Sequence, residues 1–295
     1  MIEKARSINI AATIILALGI VYILGPLYLA VTTASHSYTE MLQNGISWLP
    51  GNDLPDNIRR IWMETRIPQQ MANSLIVALG NAVLTCVLSF LTAFALVWFR
   101  IRWAAVAFAA ILATIMLPLD IRVVTTYQVA ANVFSPLNAV MDLVGVPLHL
   151  ELSILDTHAG LILPLIAHGT GTFLFRQFFL TLPRDLFKAA RMDGAGPLRF
   201  MWDILLPLSR TSVAALFVLT FLSGWTQYLW PLVGASRPEM QTAVVGLARL
   251  APDNDGRMPD FPMIMAGAVI VSLIPLAMIA LLQRFLVRGL VMTEK

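Results

Sequence analysis

Six long apolar stretches limit what this chain can fold into more than any other feature. They run from Ile8 to Val31, Ala72 to Phe99, Trp103 to Leu119, Ala159 to Leu180, Thr211 to Leu232 and Pro262 to Phe285, and the third is the shortest. A helical crossing needs about 20 mostly apolar residues to match a hydrocarbon core of about 30 Å. Inside that core every backbone polar group must be bonded internally, which a helix achieves by itself. The pattern therefore predicts an all-α integral membrane protein with six transmembrane helices. Composition agrees, with 58% hydrophobic and 13% charged residues and a mean hydropathy of +0.77. A soluble globule carries about a quarter charged residues, so an ordinary soluble enzyme, a disordered chain and a nucleic-acid binder are all excluded. The net charge of +3 is too small to argue for a polyanion-binding surface. Lys4 and Arg6 precede the first stretch as in a signal peptide, but its apolar run exceeds the roughly 7 to 15 residues of a signal core, so it is expected to be retained. The single cysteine, Cys86, lies in an apolar run, is expected to be an inert buried thiol and precludes an internal disulfide.

Lysine and arginine set the expected orientation. With a cytoplasmic N-terminus, the inner segments hold 13 of the 20 basic residues and 5 of the 17 acidic ones. Both termini are then cytoplasmic. The stretch from Val123 to Leu148 is apolar enough to suggest a seventh span, but counting it would turn the basic Arg184 to Arg210 loop outward, against the positive-inside bias. It reads instead as outer-face helices and loop, broken at Pro136 and Pro147. The expected organisation is an N-terminal helix and outer loop over residues 1–71, a transmembrane domain over 72–286 and a cytoplasmic tail over 287–295.

The most informative segment lies between spans four and five, from Leu182 to Arg210. Pro183 can start a helix through Arg191, with Leu186, Ala189 and Ala190 on a narrow apolar stripe. Asp193 and Gly194 supply a turn, and Pro197 suits the first turn of a second helix through Phe200, Met201, Ile204 and Leu205 until Pro207. The product is a helix-turn-helix finger. On physical grounds it could lie on anionic lipid, pack on its own bundle or meet a partner.

KAARMDGAGPLRFMWDILLP resembles the EAA signature of binding-protein-dependent ABC importer permeases, with Ala189, Ala190, Asp193, Gly194, Ala195, Ile204, Leu206 and Pro207 in matching positions. Further passages (LPGNDLPDNIRRIW, MLPLDIRV, TFLFRQFFLTLP, AALFVLTFLSGWTQYLWPL and the RGLVMTEK end) are similar to permeases of sn-glycerol-3-phosphate importers, while about 20 residues near Val133 to Leu152 look additional. The resemblance implies a type I ABC importer permease fold in the bacterial inner membrane, with the finger as a coupling helix. It also implies a sister permease, two ATPase subunits that bind ATP and Mg, and a periplasmic substrate-binding protein. This chain would carry no cofactor of its own and bind no nucleic acid. Lys188 stands where the family has glutamate, so the charge at the contact is reversed; Asp185, one turn earlier, is a candidate replacement acid. A permease for sugars or polyols is the alternative within the family.

The chain contains no G-x-x-x-x-G-K-[ST], so it is not the ATPase. His36, His149, His158 and His168 lack metal-ligand spacing, and no G-x-S-x-G occurs. It is therefore expected to be non-catalytic and metal-free. A stand-alone ion-coupled carrier is the rival from another class, but such carriers place charges inside their spans and these spans have almost none.

Two polar stripes are candidates for either helix packing or a translocation path. Span two carries Ser74, Asn81, Thr85, Ser89 and Thr92 within one helical sector, and span five carries Thr220, Ser223, Gly224 and Gln227. Arg122 and Gln128 could meet a phosphate ester as it sheds water, or Arg122 could pair with Asp120. His168, beside Gly169, is a helix bonder or a substrate contact. Trp225, Tyr228 and Trp230 read as an aromatic belt at the membrane surface.

Overall fold

The structure is a computed structural model that describes residues 2–99, 101–115, 119–146, 149–166, 169–251 and 258–291; no strand occurs among them. Among the described residues three helices are long and apolar enough to cross a membrane: Ile10–Ala34, Ile67–Trp98 and Phe261–Gln283. The third expected span is a shorter apolar helix, Ala104–Ile115. The fourth is a pair, His158–Ile166 and Gly169–Thr181, bent by 47°.

The fifth departs from expectation. Its helix, Arg210–Trp225, stops seven residues early, and a separate short helix, Leu229–Gly234, follows. Pro231 explains the break, since it has no N–H to donate and its ring would press on the carbonyl four residues back. The aromatic belt is also corrected. Trp225 and Trp230 are buried at 2% and 0% exposure, and only Tyr228 is exposed. The Trp230 indole donates to the Gly160 carbonyl at 3.2 Å, a bond to a residue 70 positions away that the local sequence could not announce.

The chain forms two compact units, Met1–Pro68 with Gly246–Ile274 and Gln69–Val245 with Pro275–Lys295. In the first unit the helix Ile2–Ala34 leads into a capping box, where the Ser37 hydroxyl accepts from the Glu40 N–H and the Glu40 side chain accepts from the Ser37 N–H. That box starts the helix Tyr38–Asn44, which Gly45 ends with φ +71°. The buried Asn57 amide, on the helix Leu54–Glu64, donates to the carbonyls of Ala34 and His36, both at 2.9 Å. Arg60 reaches Asp260 at 2.9 Å.

In the second unit, residues 69–98 of the helix Ile67–Trp98 contribute buried side chains to two apolar clusters. One apolar cluster gathers Phe90, Phe94, Phe175, Phe179, Phe200 and Leu205; another gathers Val77, Ala130, Leu161, Trp230 and Ala235. The stretch from Val123 to Leu148 is non-continuous, as expected: one helix ends at Ala131 and a second, Ser135–Val144, begins with Pro136 in its first turn. Pro136 thus starts a helix instead of breaking one, the position where its missing N–H costs nothing. Pro147 lies outside the described residues. Asn132 and Asn138 both donate to the Leu150 carbonyl, at 3.0 and 2.8 Å, and fold this segment onto itself.

Candidate functional site

The finger is built around one turn. The helix Asp185–Met192 ends in a Schellman arrangement: the Gly194 N–H donates to Arg191 at 3.1 Å and the Ala195 N–H to Ala190 at 2.9 Å. Gly194 has φ +77°, and a side-chain carbon added there would meet nothing within 4 Å. Backbone conformation, not space, is what requires glycine at this position. Ala190 is buried and Ala195 half-buried on the apolar side, whereas Lys188, Ala189, Asp193 and Gly194 are exposed. The expected stripe of Leu186, Ala189 and Ala190 is therefore split between two faces.

Three aromatic rings anchor the finger. Trp98 lies 5.0 Å from Phe200 and 5.5 Å from Phe187, and Phe187 lies 5.0 Å from Phe200. The two pairs made by Phe200 are edge-to-face, and such pairs contribute about 0.5 to 1.5 kcal/mol each beyond burial. None of the three was singled out as an anchor in the sequence, although Phe187 and Phe200 flank the turn at similar distances and offered a signal. The outer face carries Met192 at 83% exposure, Leu198 at 68% and Trp202 at 61%. A cleft of about 190 Å³ is lined by Ala190, Asp193, Ala195, Arg199, Phe200, Asp203 and Ile204. Four signature positions, separated by up to 14 residues in sequence, thus meet at one depression.

The end of the signature makes a bend. Residues Met201–Leu205 form a π-turn in which the Leu206 N–H donates to Met201. The wider turn accommodates Pro207, whose ring would otherwise crowd the Asp203 carbonyl. Ser209, fully buried, donates through its hydroxyl to Leu205 at 2.6 Å. The segments Pro197–Leu208 and Arg210–Trp225 consequently meet at 76°.

Charge on the finger is balanced locally. The Lys188 ammonium donates to the Asp185 carboxylate at 2.8 Å, and Lys188 holds that carboxyl below the usual range. Asp185 therefore spends its charge on Lys188 within the same helix. Both groups are largely exposed, so the pair contributes little to stability and can be exchanged for other partners.

Three of the polar-stripe residues, Asn81, Thr85 and Thr220, meet where two helices cross. The Asn81 amide donates to the Thr220 carbonyl at 2.7 Å, the Thr85 hydroxyl donates to Asn81 at 3.2 Å, and Thr220 donates back to Leu216 at 2.7 Å. All three are buried. Gly224 permits the approach, since an added carbon would lie 3.0 Å from the Ala78 backbone. Ser74 accepts from the Ala243 N–H at 2.8 Å. Gln227 is half-buried in the break after Trp225. Arg122 and Gln128 sit elsewhere, on the helix Leu119–Ala131; Gln128 is exposed, and the Arg122 Nε is enclosed with no hydrogen-bond partner among the described residues. His168 lies outside the described residues. No group of three metal-ligating side chains occurs among the described residues.

Residues 70–291 match the family described as the inner membrane component of binding-protein-dependent transport systems. The chain is 40% identical over 302 residues to the sn-glycerol-3-phosphate transport system permease protein UgpE of Brucella melitensis, with both chains covered completely. It is also 40% identical, again with complete coverage of both, to the proteins of the same name from Agrobacterium fabrum and Yersinia enterocolitica. Its fold resembles a chain of a bacterial ABC transporter that imports the acidic polysaccharide alginate, with TM-score 0.73 and 21% identity over 95% of this chain and 96% of that one. A second alginate transporter structure, in complex with an alginate pentasaccharide-bound periplasmic protein, matches with TM-score 0.64 and 14% identity over 94% and 93%.

Proposed function

Because the chain belongs to the family of inner membrane components of binding-protein-dependent transport systems, a multi-pass permease subunit and not an enzyme, we propose that it imports sn-glycerol 3-phosphate or its diesters. The observation that carries this reading is identity of 40% across the full length of relatives named for that substrate. The chain would form half of the translocation pathway beside a sister permease and receive substrate from a periplasmic binding protein. Its finger would dock on one of two ATPase subunits, which would hold ATP and Mg. Both termini and the finger would face the cytoplasm, as the basic residues at Arg184, Lys188, Arg191, Arg199 and Arg210 favour.

Energetics support coupling to ATP. A dianionic ester entering against an inside-negative potential meets about 2.3 kcal/mol per charge per 100 mV. Each tenfold accumulation adds about 1.4 kcal/mol. The finger supplies a rigid lever for such coupling, since its aromatic anchor ties it to Trp98 on the helix that carries Asn81 and the π-turn leads into the helix whose Thr220 carbonyl accepts from Asn81. Uptake of labelled sn-glycerol 3-phosphate by cells expressing the whole importer, with maltose and glycerol as competitors, tests the substrate. Uptake inhibited by unlabelled glycerol phosphates alone is expected; inhibition by the neutral sugar or polyol would transfer the chain to the sugar importers.

A further inference from the structure

The loop after the first helix folds back along it. The Tyr28 hydroxyl donates to the Trp48 carbonyl at 2.7 Å, although Tyr28 lies six residues before the helix ends at Ala34. At 1.5 Å per residue, that contact is about 9 Å back from the end of the helix. Three more bonds close the loop onto the same end: the His36 Nε2 donates to the Leu49 carbonyl at 2.9 Å, the Gly51 N–H to the Ser35 hydroxyl at 2.7 Å, and the Asp53 N–H to the Ser35 carbonyl at 2.8 Å. Gly51 is pressed so closely on the helix end that an added side-chain carbon would collide with the Ser35 carbonyl oxygen.

This held loop turns its apolar side chains outward. Ile46 is 61% exposed, Trp48 68% and Leu49 74%. From Met41 to Asn52 the sequence contains no ionisable residue. The adjoining surface of the helix is equally apolar and unburied, with Ile20, Val21, Ile23, Leu24 and Leu27 all exposed. The headgroup region on each side of a bilayer is about 5 to 8 Å deep, a little less than the roughly 9 Å by which the loop reaches back along the helix. Tryptophan favours that layer because its ring is apolar and its N–H can bond to headgroups or water.

We propose that residues 45–50 are an interfacial anchor, with Ile46, Trp48 and Leu49 seated in the lipid headgroup layer and continuous with the lipid-facing surface of the first helix. The proposal rests on the reading that this helix crosses the membrane. The anchor would fix the depth and rotation of the helix, which few contacts inside its own chain restrain.

Spin labels test it in the full importer reconstituted in phosphatidylethanolamine and phosphatidylglycerol nanodiscs. Cys86→Ala removes the one cysteine of this chain, any cysteines of the other subunits are replaced as well, and Ile46→Cys, Leu49→Cys, Val21→Cys and Asp56→Cys are placed singly. Labels at positions 46 and 49 should collide with oxygen more than with a water-soluble nickel chelate, between the values at 21 and 56. Nickel contact equal to that at position 56 would overturn the anchor. Labels at 46 and 49 shielded from both reagents would also overturn it, because a protein partner would then cover the loop. Tyr28→Phe should move the label at 49 toward the value at 56, and an unchanged depth would overturn the pinning. A label at position 21 exposed to nickel would instead refute the spanning helix, so the two failures are distinguishable.

Discussion

At Gly194 a single backbone angle carries the argument, because φ of +77° in open space excludes crowding as the reason for glycine. An L-residue in that conformation costs about 1 to 2 kcal/mol, and a β-branched one more. Gly194→Val should lower uptake about tenfold or more while the complex still assembles, and Gly194→Asn should retain most activity, since asparagine tolerates this conformation. Wild-type uptake by an assembled Gly194→Val complex would remove the turn from the coupling mechanism. Arg122 poses a different question, having an enclosed Nε with no described partner. If it contacts an anionic ester, Arg122→Gln should reduce uptake markedly with assembly and basal ATPase activity intact, because a neutral side chain cannot hold phosphate with two charged bonds. If it pairs with Asp120, Asp120→Asn should reproduce the defect as a loss of assembly. Measuring both quantities on both variants decides. Asn81→Leu should destabilise the helix crossing by about 0.6 to 1.7 kcal/mol, read as a lower unfolding temperature in detergent.

Among the elements, the finger was legible because its signature fixes the spacing of small residues, turn and proline, and Asp193-Gly194 is a local turn signal. The π-turn at Met201–Leu205 was not legible, since Pro207 announces a disruption without saying how the preceding turn absorbs it. Trp225 and Trp230 misled for a related reason. Tryptophan near the end of an apolar stretch reads as a belt, and only the fold reveals that Gly160 accepts from one indole inside the protein. The loop after the first helix carries a pH prediction. Both ring nitrogens of His36 face acceptors, Leu49 and Glu40, with Asp53 nearby, so its pKa is raised above the ordinary histidine value. A raised folded pKa gives stabilisation that is fully present below the unfolded value, about 6.5, and is lost as pH rises through the folded value. Amide exchange at Leu49 and Gly51 should quicken as pH rises through that window, beyond the intrinsic rate, and His36→Asn should remove the dependence. A pH-independent protection factor in the wild type would contradict it.

For the whole molecule, apolar periodicity and loop charge predicted helices and sides without revealing where the chain divides, which depends on contacts such as Arg60 with Asp260 across 200 residues. On the proposed function, this permease passes a glycerol phosphate inward only when a separate ATPase drives it through the finger. Purified importer in proteoliposomes, with ATP inside or absent, binding protein outside and labelled sn-glycerol 3-phosphate supplied, measures this directly. Accumulation should require both ATP and the binding protein, and Gly194→Val should leave hydrolysis running without accumulation. Uptake by this chain alone, driven by a proton or sodium gradient and indifferent to ATP, would contradict the account.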